Sequence, residues 1–227
     1  LLDAFLEVKK VSTDSRNDLK DSIFFALKGA NFNGNTFAAE ALAKGARYVV
    51  IDEHQPALPK DKCFLVDDAL TALQELATAY RKTFTGTVIG LTGSNGKTTC
   101  KELFRDVLAT TYKTSATEGN LNNHIGVPLT LLRTPADAEM IIIEMGANHQ
   151  REIALLSSIC EPDLGFITNY GKAHLEGFGG VEGVIKGKSE LYDYLRAHQK
   201  IALVNCKDAK QLEKSSGLAR VTFGNCN

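Results

Sequence analysis

The stretch TVIGLTGSNGKTTCKELF, Thr87–Phe104, decides the fold. Its first six residues form an apolar, strand-like run, its middle is a glycine-rich turn, and Lys97-Thr98-Thr99 opens a helical segment. Strand, turn and helix in that order gather backbone N–H groups and a helix N-terminus around one point, which is how a backbone holds phosphate. The common form of the motif has a glycine, four residues and then Gly-Lys-Ser/Thr. Counting back from Gly96, that first glycine falls on Leu91; Gly90 is one residue early and Gly93 lies inside the turn. The physics survives the mismatch. Gly93 and Gly96 allow the backbone to bend, Lys97 can neutralise phosphate charge, and the Thr98 hydroxyl is placed for Mg²⁺. The nucleotide-contacting set is then Gly93, Ser94, Asn95, Gly96, Lys97, Thr98 and Thr99. The bland alternative is a glycine turn with an incidental lysine; a strand before it and a helix after it count against that. A phosphate loop does not by itself say what the phosphate is used for.

Strand-like runs recur downstream of the loop at 113–116, 140–144, 164–168, 201–204 and 220–223, with helical segments between most of them. They are continuous apolar runs, not alternating ones, as expected when helices cover both faces of a mostly parallel, doubly wound sheet. Upstream, residues 1–84 read as a small mixed α/β domain. Its strands lie in DSIFFALKG, ARYVVIDE and CFLVDD; its helices cover Thr36–Lys44, stopped by Gly45, and Ala69–Lys82 with apolar residues at helical spacing. Thr83–Thr87 is the expected joint, and the second domain is expected to run from 85 and to be incomplete at 227, where VTFGNCN ends a strand with no closing helix.

Bulk properties exclude several classes. With 26 basic against 27 acidic residues there is no electrostatic case for nucleic acid or an anionic membrane surface. Apolar residues at 44% are enough for a core. No run approaches the roughly 18 apolar residues that span a bilayer, and LLDAFLEVKKVSTDSR lacks the order of a signal peptide. Five scattered cysteines (Cys63, Cys100, Cys160, Cys206 and Cys226) without a Cys-x-x-Cys pair argue against a disulfide frame or zinc site and fit a reducing cytoplasm.

Five clusters carry candidate chemistry. IIIEMGAN ends a strand on Glu144, at the sheet edge where ligands sit, so Glu144 can hold Mg²⁺ or simply cap the next turn. TEGNLNNHIGVPLTLL brings Asn120, Asn122, Asn123 and His124 together, either for a polar ligand or for local turn bonds. ITNYGKAHLEGFGG presents Asn169, His174 and Glu176 past another strand end, with His174 a possible metal ligand. GVIKGKSELYDYL carries Lys186 and Lys188, by default solvated helix lysines. STDSR offers Asp14, Ser15 and Arg16 to an anionic substrate, or forms a capped turn with a surface ion pair.

Taken together these stretches resemble the Mur ligases of peptidoglycan synthesis, over nearly the whole chain. TDSR and SIFFALKGANFNGNTFAAEALAKGA are similar to that family's UDP-substrate domain, and LTGSNGKTT to its ATP loop, which accounts for the off-pattern glycine. GNLNNHIGVPLTLL resembles the dipeptide-adding branch, and EMGAN, NYGKAHLEGFG and KGKSEL follow in the family's order. The resemblance implies an ATP-dependent carbon–nitrogen ligase that adds D-Ala-D-Ala to UDP-N-acetylmuramoyl-tripeptide through an acyl phosphate. It implies a monomeric bacterial cytoplasmic enzyme using ATP and Mg²⁺ at two sites. Lys97, Glu144, His174 and Lys188 then match catalytic positions; Thr98, Glu144, His174 and Lys188 match metal-associated ones, with Lys188 carried as a carbamate. Asp14, Ser15 and Arg16 match UDP-sugar contacts, and Asn122 and Asn123 a substrate-facing loop. A third domain, which completes the ATP pocket and takes the amine, is expected beyond residue 227. Third-residue-adding, folylpolyglutamate or cyanophycin ligases remain as neighbouring alternatives. A non-ligase phosphate-loop protein and a UDP-substrate binding module remain from other classes.

Overall fold

A computed structural model describes residues 1–172 and 175–225. The chain divides into two compact units, one made of Leu1–Tyr80 with Leu131–Arg133, the other of Arg81–Thr130 with Thr134–Asn227.

The first unit opens with α1 (Leu2–Val8), whose Phe5 is buried and meets Tyr80 edge-on at a ring separation of 4.9 Å. The strands β1 (Val11–Ser12), β2 (Ile23–Phe25), β5 (Tyr48–Ile51) and β6 (Cys63–Leu65) form a parallel sheet in the order β1-β2-β5-β6. A small antiparallel pair, β3 (Lys28–Gly29) with β4 (Phe32–Asn33), makes the unit mixed. The expected first helix begins later than its apolar spacing predicts. Asn33 accepts the Asn35 N–H and holds Gly34–Phe37 as a 3₁₀ turn before α2 (Ala38–Ala43). Leu73, Leu76, Ala77 and Tyr80 form the buried stripe of α3 (Ala69–Arg81), as their spacing requires. Helix α1 and strand β1 were not foreseen; both are too short for periodicity to register.

The second unit is a six-stranded, wholly parallel sheet in the order β12-β11-β10-β7-β9-β8. Its strands are β7 (Thr87–Thr92), β8 (Thr114–Ala116), β9 (Met140–Glu144), β10 (Leu164–Ile167), β11 (Ile201–Asn205) and β12 (Ala219–Phe223). The connections carry α4 (Lys97–Leu108), α5 (Gly126–Arg133), α6 (Glu152–Cys160), α7 (Leu175–Phe178), α8 (Val181–Ala197) and α9 (Ala209–Lys214). Consecutive buried residues such as Ile141, Ile142 and Ile143 confirm that both faces of the central strands are covered. The chain leaves β7 toward β8 and β9, then crosses to β10, β11 and β12 on the other side. Its winding therefore reverses at β7, and the crevice at such a reversal lies outside the strands' carboxyl ends. At the amino ends, Asp163 ties β7, β10 and β11 together. It accepts from Arg81 at 2.8 Å, from Lys200 at 2.7 Å and from the Val88 N–H at 3.0 Å.

Among the described residues no helix is long and apolar enough to cross a membrane. Cys63, Cys100 and Cys160 are free thiols, but Cys206 is disulfide-bonded, which corrects the expectation that the cysteines would stay unpaired. Spacing along the sequence does not reveal which thiols the packing brings together.

Candidate functional site

The carboxyl ends of β7, β9 and β10 meet at one sheet edge. Leu91, where the usual motif has glycine, is fully buried inside β7, so a glycine there would only remove core. The glycine that matters is Gly93. It has φ of +142°, and a Cβ on it would stand 1.9 Å from Thr168 Oγ1. Gly96 takes φ of +74° to turn the chain into α4.

The loop is braced from the segment after β10. The Ser94 N–H donates to the Asn169 carbonyl at 3.1 Å and the Asn95 N–H to Asn169 Oδ1 at 3.2 Å. Thr168 Oγ1 and Asn169 Nδ2 donate to the Asn95 carbonyl at 2.7 and 3.0 Å, and Ser94 Oγ to the Gly171 carbonyl at 2.8 Å. Lys97 folds back onto its own loop, donating to the Gly93 carbonyl at 2.9 Å and the Ser94 carbonyl at 3.4 Å. Burial lowers its ammonium pKa, with the Glu144 carboxylate pulling the other way. Among the described residues this cation has no carboxylate hydrogen-bonded to it and faces loop carbonyls, which suits an incoming phosphate.

Glu144 is nearly inaccessible. Its Oε1 accepts from Asn122 Nδ2 at 2.9 Å and from Thr98 Oγ1 at 3.4 Å, while its backbone N–H donates to Thr117 Oγ1 at 2.9 Å. Its Oε2 is buried without a hydrogen-bond partner among the described residues. A buried carboxylate oxygen left alone is costly, so its place beside the Thr98 hydroxyl fits a hard, oxygen-seeking cation. Gly146 leaves room for Asn122, since a Cβ there would stand 2.8 Å from Asn122 Oδ1.

Lys188 and Lys186 separate sharply. Lys186 is exposed, whereas Lys188 is 1% exposed, so the expectation of two solvated lysines fails for the second. Lys188 Nζ donates to the Ala147 carbonyl at 3.2 Å and sits 5.1 Å from the centre of the Phe178 ring. Burial, and secondarily repulsion from Lys97, brings its pKa down to about 8. Glu190, one turn-half further along α8, accepts the Arg151 and Ala154 N–H groups and so caps α6. A cleft of about 470 Å³ opens here, lined by Lys97, Asn120, Asn122, Asn123, His124 and Glu152 among others. Asn123 also accepts the Ile125 and Gly126 N–H groups and starts α5.

The remaining sequence candidates fall elsewhere. His174 lies outside the described residues. Among the described residues no cluster of three His, Cys, Asp or Glu side chains stands ready for a metal. Thr99 is on the exposed side of α4. In the first unit, Arg16 grips Asp14 through a bidentate pair, with a shortest contact of 2.6 Å. That pairing, together with an H-bond from the Arg16 N–H, lowers the Asp14 pKa to about 2. Sequence reading missed Thr117, Thr168 and Lys101; Lys101, one helical turn beyond Lys97, carried a visible signal in its spacing.

A parallel sheet that reverses at a central strand, with a braced glycine loop, a lysine and a helix N-terminus at its carboxyl end, defines the phosphate-loop class of α/β domains. Within that class the family is specific. Residues 91–227 match the Mur ligase middle domain and residues 7–81 match the Mur ligase family, catalytic domain. The chain belongs to the Mur ligase family. It is 40% identical over 215 residues to the UDP-N-acetylmuramoyl-tripeptide–D-alanyl-D-alanine ligase of Bacillus subtilis, a match covering 94% of this chain and 47% of that one. MurF from Acinetobacter baumannii superposes with a TM-score of 0.87 at 36% identity, covering 96% of this chain and 48% of that one. MurF ligase from Thermotoga maritima in complex with ADP superposes with a TM-score of 0.87 at 31% identity, covering 98% and 52%. The chain spans about half the length of the curated relatives it matches.

Proposed function

We propose that the chain is the substrate- and nucleotide-binding half of an ATP-dependent ligase that adds D-Ala-D-Ala to UDP-N-acetylmuramoyl-tripeptide. In this reading residues 1–84 bind the UDP-substrate, with Asp14, Ser15 and Arg16 among the contacts, and residues 85–227 bind ATP. One observation carries the nucleotide half: the buried Glu144 carboxylate at the mouth of a braced phosphate loop, its Oε1 3.4 Å from the Thr98 hydroxyl and its Oε2 without a partner among the described residues. The names and identities of the relatives support the choice of substrates.

The chemistry brings two anions together. The terminal carboxylate of the tripeptide attacks the γ-phosphorus, the bond to the β-phosphate oxygen breaks, and ADP leaves an acyl phosphate. The amine of the dipeptide then attacks the acyl carbon, phosphate departs with the bonding pair, and the new amide loses a proton. Lys97, the converging loop N–H groups and the start of α4 lower the repulsion between carboxylate and triphosphate. Asn122 and Asn123 line the cleft beside Lys97, which supports a substrate-facing role for them. A bound Mg²⁺ would supply further charge neutralisation on the phosphates, held by Thr98 and Glu144, with Lys188 as a carbamate and His174 as further ligands. The lowered pKa of Lys188 leaves about a tenth of its amine neutral and nucleophilic at pH 7, the form that adds to carbon dioxide. The proposal places the protein in the bacterial cytoplasm as a monomer; the Cys206 disulfide is at odds with a reducing compartment.

Turnover is tested on the complete protein by following phosphate release from ATP. Release is expected only when UDP-N-acetylmuramoyl-tripeptide and D-Ala-D-Ala are both present, and Lys97→Met should abolish it. Sustained release with neither substrate would assign the loop to a switch or motor instead.

A further inference from the structure

Lys101 takes no part in the site as described, yet it is among the largest fully buried side chains, with 1% of its surface exposed. Its Nζ donates to the Thr117 carbonyl at 2.7 Å and pairs with Glu102 Oε1 at 2.9 Å. A buried ammonium is costly, and an aliphatic side chain would fill the same space at less cost. Its partner gives the reason for its presence. Thr117 follows β8, donates its N–H to the Ile142 carbonyl on β9 at 2.9 Å, and accepts the Glu144 N–H on its hydroxyl at 2.9 Å. Lys101 therefore holds, through one residue, the backbone that carries Glu144. It also lies three residues after Thr98, so both side chains project from one face of α4.

We infer that Lys101 is a positioning residue that sets the separation between the Thr98 hydroxyl and the Glu144 carboxylate, now 3.4 Å, and so tunes the cation-holding part of the nucleotide site. The ammonium ties the first turns of α4 to the β8–β9 edge at the level of Thr117. Without it, Phe104 of α4 still meets Phe166 on β10, but Thr98 and Glu144 lose their fixed spacing. A displacement of 0.5–1 Å is enough to spoil a preorganised ligand pair. Phosphate contacts from the loop N–H groups and Lys97 do not pass through Thr117 and are left alone.

This inference rests on the reading of Thr98 and Glu144 as cation ligands, and its test separates the two. ADP affinity of the complete protein is measured by calorimetry with Mg²⁺ and with EDTA, for the parent, Lys101→Met, Thr117→Val, Thr117→Ser and Glu144→Gln. Glu144→Gln should erase the Mg²⁺ enhancement; if it does not, the ligand reading itself fails. Given that loss, Lys101→Met and Thr117→Val are expected to cut the Mg²⁺ enhancement about tenfold while changing EDTA affinity less than twofold, and Thr117→Ser to restore it. Equal weakening in both conditions, or full Mg²⁺ enhancement in a destabilised Lys101→Met, would make Lys101 a merely structural lysine and overturn the inference. Should Lys101→Met not fold, Lys101→Gln, which keeps a hydrogen-bond donor without the charge, decides by the same criterion.

Discussion

The phosphate loop at Gly93–Lys97 and the turn at Asp14–Arg16 look alike in composition: short, polar, each with a cation and a place to bind an anion. They are built in opposite ways. The loop is held by groups from outside itself, chiefly Thr168, Asn169 and Gly171, and its cation is hydrogen-bonded to carbonyls of the loop. The turn is paired mostly within its own stretch, with Arg16 closed onto Asp14 two residues away, Lys44 reaching only the Ser15 carbonyl at 2.9 Å, and 86% of the arginine side chain exposed. A braced loop arrives at its ligand already shaped and loses little on binding, whereas a self-paired turn must first open. Preorganisation is therefore a property of the surroundings, invisible in the motif.

Gly93→Val strikes that difference hardest. The new side chain would collide with Thr168 and the residue would be held at a positive φ, each costing roughly 1–3 kcal/mol. Thermal unfolding should show a loss of about 4 kcal/mol, and calorimetry should show no ADP binding. A variant that stays within about 1 kcal/mol of the parent would mean that the bracing is loose and that the two regions are not so different.

Lys188 extends the contrast to a second buried cation, and its effect is set by pH. Its folded pKa of about 8 lies below the ordinary 10.5, so the unfolded chain binds more protons between these values. Stability from this group is complete above about pH 10.5, falls as pH drops toward 8, and is fully forfeited below 8, a cost of about 3 kcal/mol. Lys188→Met should therefore stabilise the chain at pH 7 by up to that amount, and the gain should vanish near pH 10.5 in urea melts. An equal gain at both pH values would assign it to packing. In ¹³C-bicarbonate the parent chain is expected to show a carbamate carbon resonance that the variant lacks, and the pH 7 gap should narrow as the cost is relieved.

The contrast also explains what could be read without coordinates. The six strands of the second unit were legible because apolar runs separated by helical spacing have one economical solution, a parallel sheet. The glycine at 93 and the lysine at 97 were legible because their roles are local. Burial of Lys188 was not, since Lys186 and Lys188 are two residues apart on one helix and only packing against Ala147 and Phe178 tells them apart. Asn122 lines the cleft, and its amide also donates to Glu144, a partner 22 residues away that no local spacing reveals. Thr117 and Lys101 belong to the same category of long-range contact, and residues joined across strands leave no period to detect.

The smallest effect is expected at Asp14. Its pKa of about 2, below the unfolded 3.8, means that the pair stabilises above about pH 3.8 and loses that contribution as pH falls through 2. Because the partners are solvent-exposed and screened, Asp14→Asn at neutral pH should move the melting temperature by less than about 2 °C, and less again in high salt. A larger shift would show the turn to be braced after all. A neutral result gives the turn its meaning: an arginine released at negligible cost to the fold is available to an anionic group. UDP-substrate affinity should then fall in Arg16→Ala by far more than the melting temperature does, the reverse of the pattern at Gly93, where binding and stability fail together.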